Sequence, residues 1–265
     1  MAVTLKSEER HFILKLAESA DELIAAQRLR YRVFVTELGA TGPTVDHANQ
    51  REFDDFDCVY DHLLLIDRRR DAASLDHVVG VYRLLRGEVA LAGPGFYSAA
   101  EYDLGPLLRT NRRLLELGRS CIDSDHRGGV GIYLMWNALA EYVLAHRIDI
   151  MFGVASYHGT NVAAIAQSLS YLYRNHLAPE NLRVRVADAH FQTLDLVPPE
   201  RIDRIAAMAE TPALIKAYLR LGGFIGDGAF IDANFNTVDV CLMMDTQAMS
   251  MRHKDAYTRR SEVRR

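Results

Sequence analysis

The chain has 265 residues, of which 49% are hydrophobic and 25% are charged, and its formal net charge is −4 at pH 7. This size and composition predict a soluble globular protein with an ample core, and the weakly negative charge argues against nucleic-acid binding. Three widely spaced cysteines, Cys58, Cys121 and Cys241, show no metal-ligand spacing, which favours a reducing cytoplasm and predicts no metal site.

The first predicted elements are a strand at His11–Ala17 and a helix capped by Ser19, with Glu22 at the capping-box spacing. The helix continues through the segment LIAAQRLRYRVFVTEL. An acid-rich segment, DHANQREFDDFD, separates this helix from two strand-like runs, DHLLLID and VVGVYRLLR.

A loop or short helix then leads to a strand at Leu115–Ile122 and, after a glycine-rich turn, to a long helix from about Val130. A strand (IDIMFGVAS), a helix starting at Thr160 or Asn161, and a strand (LRVRVADAHF) follow. Two helical segments precede the closing strands, FIGDGAFI and TVDVCLMMD. This order predicts an α/β protein with a mixed central sheet flanked by helices, and one domain over residues 1–250.

Three segments of the sequence bear on whether the protein associates with a membrane. The N-terminus has no apolar signal-peptide region, and the most apolar run, residues 129–148, contains Asn137 and Glu141, so it predicts a buried helix. The tail at residues 251–265 holds six arginines and lysines against two acids. Such a tail is either a solvated, flexible terminus or a peripheral contact with anionic lipid at the inner membrane.

The predicted strand Leu115–Ile122 carries two charges, Glu116 and Arg119, with Gly118 between them. In a regular strand the two charged side chains would point to opposite faces. A glycine inside a strand often marks a bulge, which would bring the charges toward one side and leave backbone N–H groups unpaired. A structural ion pair is the alternative interpretation.

The turn after this strand contains Gly128, Gly129 and Gly131 before the start of a helix. Glycines permit close backbone approach, and a helix N-terminus offers free N–H donors, so this turn suits a phosphate group. A tight turn without a ligand remains the alternative.

The order of strand, glycine turn, helix and strand resembles the GNAT-like N-acyltransferase fold. In that family the turn has the pattern R/Q-x-x-G-x-G/A, and the segment HRGGVG departs from it at His126. The resemblance implies that the turn holds the phosphate of an acyl carrier.

The N-terminal half is similar to acyl-homoserine-lactone synthases. The matching positions are Arg30 and Phe34, Asp54 and Asp57, Arg83, and Glu116 and Arg119. Ala40 stands where those enzymes carry tryptophan. The C-terminal half instead resembles L-ornithine Nα-acyltransferases and long-chain N-acyl amino acid synthases, once grouped as hemolysin-like proteins, and this resemblance covers about residues 10 to 245.

The resemblance implies an enzyme that moves a (3-hydroxy) fatty acyl group from acyl carrier protein to the α-amino group of L-ornithine. Glu116 is the candidate general base, directly or through a water, together with Arg119, and N–H groups beside Gly118 are the candidate oxyanion site. For the amino acid, either Asp54 or Asp57 would bind a cationic side chain and either Arg30 or Arg83 its carboxylate, with Phe34 nearby. Arg30 as an internal clamp is the structural alternative.

The same resemblance implies no tightly bound cofactor and an acyl phosphopantetheine thioester as co-substrate. The candidate carrier-binding residues lie in and around the strand and turn: Cys121, Ile122, Arg127, Gly128, Gly129, Gly131, Arg112 and Arg113. Basic residues suit the acidic surface of acyl carrier protein. The alternatives are acylation of another amino acid, a lactone-type synthase, and a membrane-lytic protein without enzymatic activity.

Overall fold

The computed structural model describes residues 11–127 and 130–247. The chain divides into two compact units, one formed by Met1–Leu85 with Leu117–His146 and the other by Arg86–Glu116 with Arg147–Arg265. Two groups of residues singled out by the sequence, the glycines Gly128 and Gly129 and the basic tail, lie outside the described residues. The expectation of one domain over residues 1–250 stays a prediction.

Strands and helices alternate along the described chain. The strands are β1 (Phe12–Leu16), β2 (Val45–Asp46), β3 (Arg51–Glu52), β4 (Asp61–Asp67), β5 (Val78–Arg86), β6 (Tyr102–Asp103), β7 (Leu114–Ile122), β8 (Ile150–His158), β9 (Arg185–Val186), β10 (Phe224–Ile225), β11 (Phe230–Asp232) and β12 (Thr237–Asp245). The helices are α1 (Ala20–Arg30), α2 (Gly87–Ala92), α3 (Gly105–Leu108), α4 (Val130–Ala145), α5 (Ala166–His176), α6 (Arg204–Glu210) and α7 (Ala213–Arg220).

In the first unit, β1, β4, β5 and the second half of β7 are neighbours in the sheet, with β1–β4 and β4–β5 antiparallel. Helix α1 begins at Ser19, whose hydroxyl accepts a hydrogen bond from the backbone N–H of Glu22 at 3.2 Å, so the predicted cap is present. The apolar face of α1, formed by Ala25, Ala26 and Leu29, packs in one core with residues of the sheet. These are Leu64 of β4, Val81 of β5 and Cys121 of β7. This packing fixes α1 against the sheet.

The helix predicted to run on past Arg30 changes its hydrogen-bond pattern there. Residues Tyr31–Glu37 form a π-helical segment directly after α1, and Phe34 lies within it. π-helical turns are rare and often occur at functional sites. The N-terminal helix therefore has the predicted position but not a uniform α-helical backbone.

In the second unit, the first half of β7 pairs in parallel with β8, and β8 pairs antiparallel with β12 over nine residues. Strands β10 and β11 both pair with β12. The hydroxyl of buried Tyr102 donates toward the carbonyls of Gly228 and Asp239, which ties a loop to this sheet. Strand β7 contributes its second half to the first unit and its first half to the second.

The prediction of a long strand at LRVRVADAHF is wrong. Only β9, two residues long, forms there, and it pairs with the equally short β6. The chain then enters a 3-10 turn at Asp188–His190. Alternation of valine and arginine is typical of a strand, but the short partner strand gives no ladder beyond two residues.

None of the helices formed by residues 11–127 and 130–247 has the length and hydrophobicity that a transmembrane helix requires. Helix α4, the most apolar segment of the sequence, buries Leu134, Met135 and Leu139.

Candidate acyl-transfer and acceptor site

The backbone of β7 changes conformation at the point where its charged residues lie. Arg119 has φ +49°, in the left-handed region that is uncommon for residues other than glycine. The sequence placed this irregularity at Gly118, one residue earlier. A Cβ at Gly118 would lie 3.9 Å from Nε of Arg83 and 4.0 Å from the ring of Tyr60, which are ordinary contacts. The strained residue is therefore Arg119 itself, and its side chain leaves the regular alternation of the strand.

Arg30 lies at the centre of a buried ionic network in the first unit. Its Nη1 and Nη2 atoms contact the two carboxylate oxygens of Asp57 at 2.7 and 2.8 Å, and its Nε lies 2.7 Å from Oε2 of Glu52. Its Nη2 also donates to the backbone carbonyl of Glu52. Arg30 is 0% exposed, so its charge is neutralised wholly inside the protein.

Arg83, also fully buried, extends the network along β5. Its Nη1 lies 2.6 Å from Oδ1 of Asp54 and 2.9 Å from Oδ1 of Asp57, and its guanidinium stacks over the ring of Tyr60 at 4.5 Å. Gln27 adds a further donor to Asp57, at 2.9 Å. Asp57 thus accepts from three different side chains.

Arg119 closes the network from β7. Its Nε lies 3.2 Å from Oε1 of Glu52 and its Nη2 lies 3.2 Å from Oδ2 of Asp54. The structure therefore brings together the sequence-predicted residues Arg30, Asp54, Asp57, Arg83 and Arg119 in one cluster. It adds Glu52, which sequence reasoning missed although it lies in the acid-rich segment.

The network alters the protonation of its members. Burial raises the pKa of Asp57, but hydrogen bonds from Arg30 and the charges of Arg30 and Arg83 outweigh burial and hold this pKa well below its usual range. Burial lowers the pKa of His62, whose Nε2 lies 3.0 Å from the backbone carbonyl of Asp57. Asp57 is therefore an anion and His62 a neutral ring in the folded protein at neutral pH.

Glu116 lies in the second unit and is held by a different set of donors. Its carboxylate accepts hydrogen bonds from the backbone N–H of Tyr97 at 2.9 Å, the backbone N–H of Ser98 at 2.7 Å and the Ser98 hydroxyl at 2.5 Å. Glu116 is 1% exposed. The ring of neighbouring Phe96 packs edge-on against Phe152 of β8, with centroids 5.0 Å apart. The sequence predicts a loop or short helix here, and residues Tyr97–Ala100 form a 3-10 turn, but no signal in the sequence indicated contact with Glu116.

The turn after β7 is anchored by several polar contacts of the first unit. The Asp123 side chain accepts from the backbone N–H of Asp125, His126 Nε2 lies 3.1 Å from Oδ2 of Asp67, and Arg127 contacts Glu37 at 2.6 Å. Arg127 also donates to the carbonyl of Ile122 at 2.9 Å. These contacts fix the entry to α4.

Two other candidate carrier-binding residues, Cys121 and Gly131, are packed inside the first unit. Cys121 is buried, and burial raises the pKa of its thiol to about 12, so it has no nucleophilic character at neutral pH. A Cβ at Gly131 would lie 3.1 Å from Leu65, so this glycine permits close packing of α4 on β4.

In the second unit, Arg112 makes two contacts with Asp245, at 2.6 and 2.7 Å, and also donates to the carbonyl of Asp149. Its neighbour Arg113 donates its backbone N–H to the Asp149 carboxylate. These contacts join the start of β7 to β12 and to the start of β8.

One cluster of carboxylates was not singled out by the sequence. Oxygens of Glu101, Asp232 and Asp239 in the second unit lie within 4.8 Å of one another. Acidic groups at such distances are common without an ion, so no function is assigned to them.

Comparison with known proteins agrees with this fold. Residues 29–137 match the acetyltransferase (GNAT) domain. The solved structure of an N-acyl amino acid synthase from uncultured soil microbes superposes with a TM-score of 0.52 at 10% identity, covering 92% of this chain and 97% of that one. A CoA-dependent acyl-homoserine lactone synthase gives a TM-score of 0.50 at 16% identity, covering 91% of this chain and 82% of that one. The protein thus has the fold of a GNAT-type acyltransferase.

A closer relationship is found in sequence. The chain is 59% identical over 251 residues to the L-ornithine N(alpha)-acyltransferase of Rhodobacter capsulatus, which covers 95% of this chain and 96% of the relative. The chain therefore belongs to the L-ornithine N(alpha)-acyltransferase family, and the family resemblance and the α/β acyltransferase fold predicted from the sequence are confirmed.

Proposed function

We propose that this protein transfers a fatty acyl group, 3-hydroxylated or plain, from acyl carrier protein to the α-amino group of L-ornithine, giving lyso-ornithine lipid. The observation that carries the acceptor is the 59% identity to an L-ornithine N(alpha)-acyltransferase over nearly the whole of both chains. The charged network gives physical support, because it contains carboxylates and guanidinium groups of the kind that bind an amino acid with a cationic side chain.

The reaction has a simple balance. The lone pair of the neutral α-amine forms an N–C bond to the thioester carbonyl carbon, and the C–S bond then breaks. The nitrogen loses a proton, and the carrier leaves as a thiol. The protein must therefore remove a proton, stabilise the negative oxygen of the tetrahedral intermediate, and hold both substrates.

Glu116 is our candidate for the proton transfer. Its 1% exposure supports a route through a water, because an amine that approaches from the surface does not reach a buried carboxylate directly. For the oxyanion we propose backbone N–H groups beside Gly118, where the left-handed conformation of Arg119 interrupts the regular strand.

For the acyl carrier we propose the turn at residues 123–131 and the start of α4, since a helix N-terminus presents N–H donors to a phosphate. Cys121, Ile122, Arg127, Gly128, Gly129 and Gly131 belong to this region. Of the arginines before β7, Arg109 is exposed directly after α3, whereas Arg112 is engaged with Asp245. Arg109 is therefore a better candidate than Arg112 for contact with the acidic carrier, and Arg113 stays a candidate.

Two alternatives are weaker. Lactone-type synthases carry tryptophan at the position of Ala40, and Ala40 is buried here, with an exposure of 2%. A lytic protein without enzymatic activity is disfavoured by the 59% identity to an L-ornithine N(alpha)-acyltransferase over nearly the whole of both chains. For location, we propose a cytoplasmic protein with peripheral contact at the inner membrane, which sedimentation with anionic vesicles tests.

The direct experiment uses purified protein, acyl carrier protein loaded with plain or 3-hydroxy acyl chains, the corresponding acyl-CoA thioesters, and a panel of amino acids, with products read by mass spectrometry. We expect Nα-acyl ornithine, formed faster from the carrier protein than from CoA. Absence of product with every amino acid would overturn the function, and equal rates from both donors would overturn the carrier assignment alone.

A further inference from the structure

The three guanidinium groups of the network are held differently. The contacts of Arg30 and Arg83 with Glu52, Asp54 and Asp57 span 2.6 to 2.9 Å, and both arginines are 0% exposed. Arg119 contacts Glu52 and Asp54 of the same network at 3.2 Å, and its side chain is 9% exposed. Of these three arginines, Arg119 is thus the one with access to solvent.

The carboxylates of the network also divide into a deeply buried one, Asp57, and one nearer the solvent, Asp54. Asp57 accepts from Arg30, Arg83 and Gln27, so both of its oxygens are occupied deep in the network. Asp54, with a 10% exposed side chain, uses Oδ1 for Arg83 and for the backbone N–H of Phe56, which fixes its position at the start of a 3-10 turn. Its Oδ2 contacts Arg119 at 3.2 Å. The outer layer of the network is therefore the Asp54–Arg119 pair.

The charges of the network balance, since Arg30, Arg83 and Arg119 face Glu52, Asp54 and Asp57. A lone cation or a lone anion added to this buried cluster would leave an uncompensated charge, which is costly. Ornithine in its reactive form has a neutral α-amine, one carboxylate and one δ-ammonium. This form adds one charge of each sign and preserves the balance.

From this geometry, and resting on the proposed function, we propose that the Asp54–Arg119 ion pair is the acceptor-recognition element. The pair opens when ornithine binds. Arg119 then binds the α-carboxylate, and Oδ2 of Asp54 binds the δ-ammonium. Arg30, Arg83 and Asp57 keep their contacts and hold the two recognition residues in place.

This assignment also explains how one of two amines is selected. Only a neutral amine attacks a thioester, and a carboxylate beside an ammonium favours its charged form. Asp54 therefore keeps the δ-nitrogen protonated and unreactive, while the α-amine is free to lose its proton. Acylation is directed to the α-position by charge as well as by orientation.

The experiment uses the full chain and three acceptors: ornithine, norvaline, which lacks the δ-ammonium, and putrescine, which lacks the carboxylate. Relative kcat/KM values, or competition against labelled ornithine where turnover is slow, measure discrimination. In Asp54→Asn the preference for ornithine over norvaline falls about tenfold or more, because a charge-assisted contact is lost. In Arg119→Met the preference for ornithine over putrescine falls by a similar factor, and KM for the acyl donor does not change in either variant.

A matched control is the exposed Arg174–Asp195 pair of the second unit, with a contact at 2.6 Å. Asp195→Asn and Arg174→Met leave all three acceptor preferences unchanged. Asp54→Glu tests the assignment without removing charge: its carboxylate lies one methylene further out, so the preferred acceptor shifts from ornithine toward 2,4-diaminobutyrate, which is one methylene shorter.

Thermal melting establishes that each variant is folded. If folded Asp54→Asn and Arg119→Met retain wild-type discrimination, or if Asp54→Glu shows no shift toward the shorter acceptor, the recognition element is wrong while the proposed function stands. If the wild-type protein acylates no ornithine under the same conditions, the proposed function itself fails.

Discussion

Arg30 and Asp57 form a two-point ion pair inside the first unit, with Nη1–Oδ1 and Nη2–Oδ2 distances of 2.7 and 2.8 Å. Neither side chain is more than 7% exposed. These residues were expected from the sequence to bind the amino acid or to act as an internal clamp. Their burial and mutual contacts favour the clamp, and leave contact with a substrate to the outer members of the network.

The first prediction concerns this clamp. Arg30→Met leaves the Asp57 carboxylate buried without its main partner, so we expect the free energy of unfolding to fall by about 3–5 kcal/mol in urea denaturation. Arg28→Met on the same helix is the control, because Arg28 is part-exposed and donates to the backbone carbonyl of Ser74. Its effect should stay within about 0.5 kcal/mol. Equal effects of the two variants would contradict the clamp.

A second prediction concerns pH. Burial lowers the pKa of His62 in the folded protein. Below about pH 6.5 the His62 ring is therefore protonated in the unfolded chain more readily than in the folded protein. The unfolded state then binds more protons, and stability falls as the pH falls. In His62→Gln the curve of unfolding free energy against pH should be flatter between about pH 6.5 and 5.

The control for this pH dependence is His190→Gln, at an exposed position. It should leave the slope unchanged. His176, whose pKa is also lowered by burial, contributes a residual slope in every variant. A wild-type slope in His62→Gln would show that this ring is not responsible.

A third prediction concerns Glu116. In Glu116→Gln the amide oxygen can still accept from Ser98, but the N–H₂ group then faces the N–H of Tyr97, and the negative charge is lost. We expect turnover to fall by about 100-fold or more in steady-state assays, with loss of about 1–3 kcal/mol in unfolding free energy. Ser98→Ala removes one donor and keeps the carboxylate, so it should retain most turnover. If both variants lose activity equally, Glu116 acts by holding the 96–98 segment rather than on the proton.

A fourth prediction uses the three cysteines. Cys58 is exposed, whereas Cys121 and Cys241 are buried and burial raises the pKa of both thiols. Iodoacetamide at neutral pH should label Cys58 in the folded protein, and all three residues after unfolding, as read by peptide mass spectrometry. Labelling of folded Cys121 at a rate similar to Cys58 would mean that β7 opens to solvent.

The regular elements were accessible from sequence because their signals are local. The apolar runs at Asp61–Asp67, Val78–Arg86 and Thr237–Asp245 are strands with the predicted bounds or nearly so, and Ser19 caps α1 as its spacing indicates. The π-helical segment after α1 was not accessible, because helical periodicity does not distinguish i→i+5 from i→i+4 hydrogen bonding over two turns.

For the candidate site, the sequence predicted which residues take part but not how they contact one another. The resemblance to acyl-homoserine-lactone synthases selected Asp54, Asp57, Arg83 and Arg119, and the structure places them in one network. It did not reveal Glu52, whose importance comes from contacts with partners far along the chain.

The sequence by itself determined the order of strands and helices, the family and the residue types available for acyl transfer, since these depend on local patterns along the chain. Tertiary structure decided which carboxylate each arginine neutralises, that Glu116 is bound by Tyr97 and Ser98, and that Asp54 and Arg119 form the outer layer of the network. Ion pairing in this network depends on distances between residues up to 67 positions apart, and on the burial that removes competing water, neither of which spacing along the chain encodes.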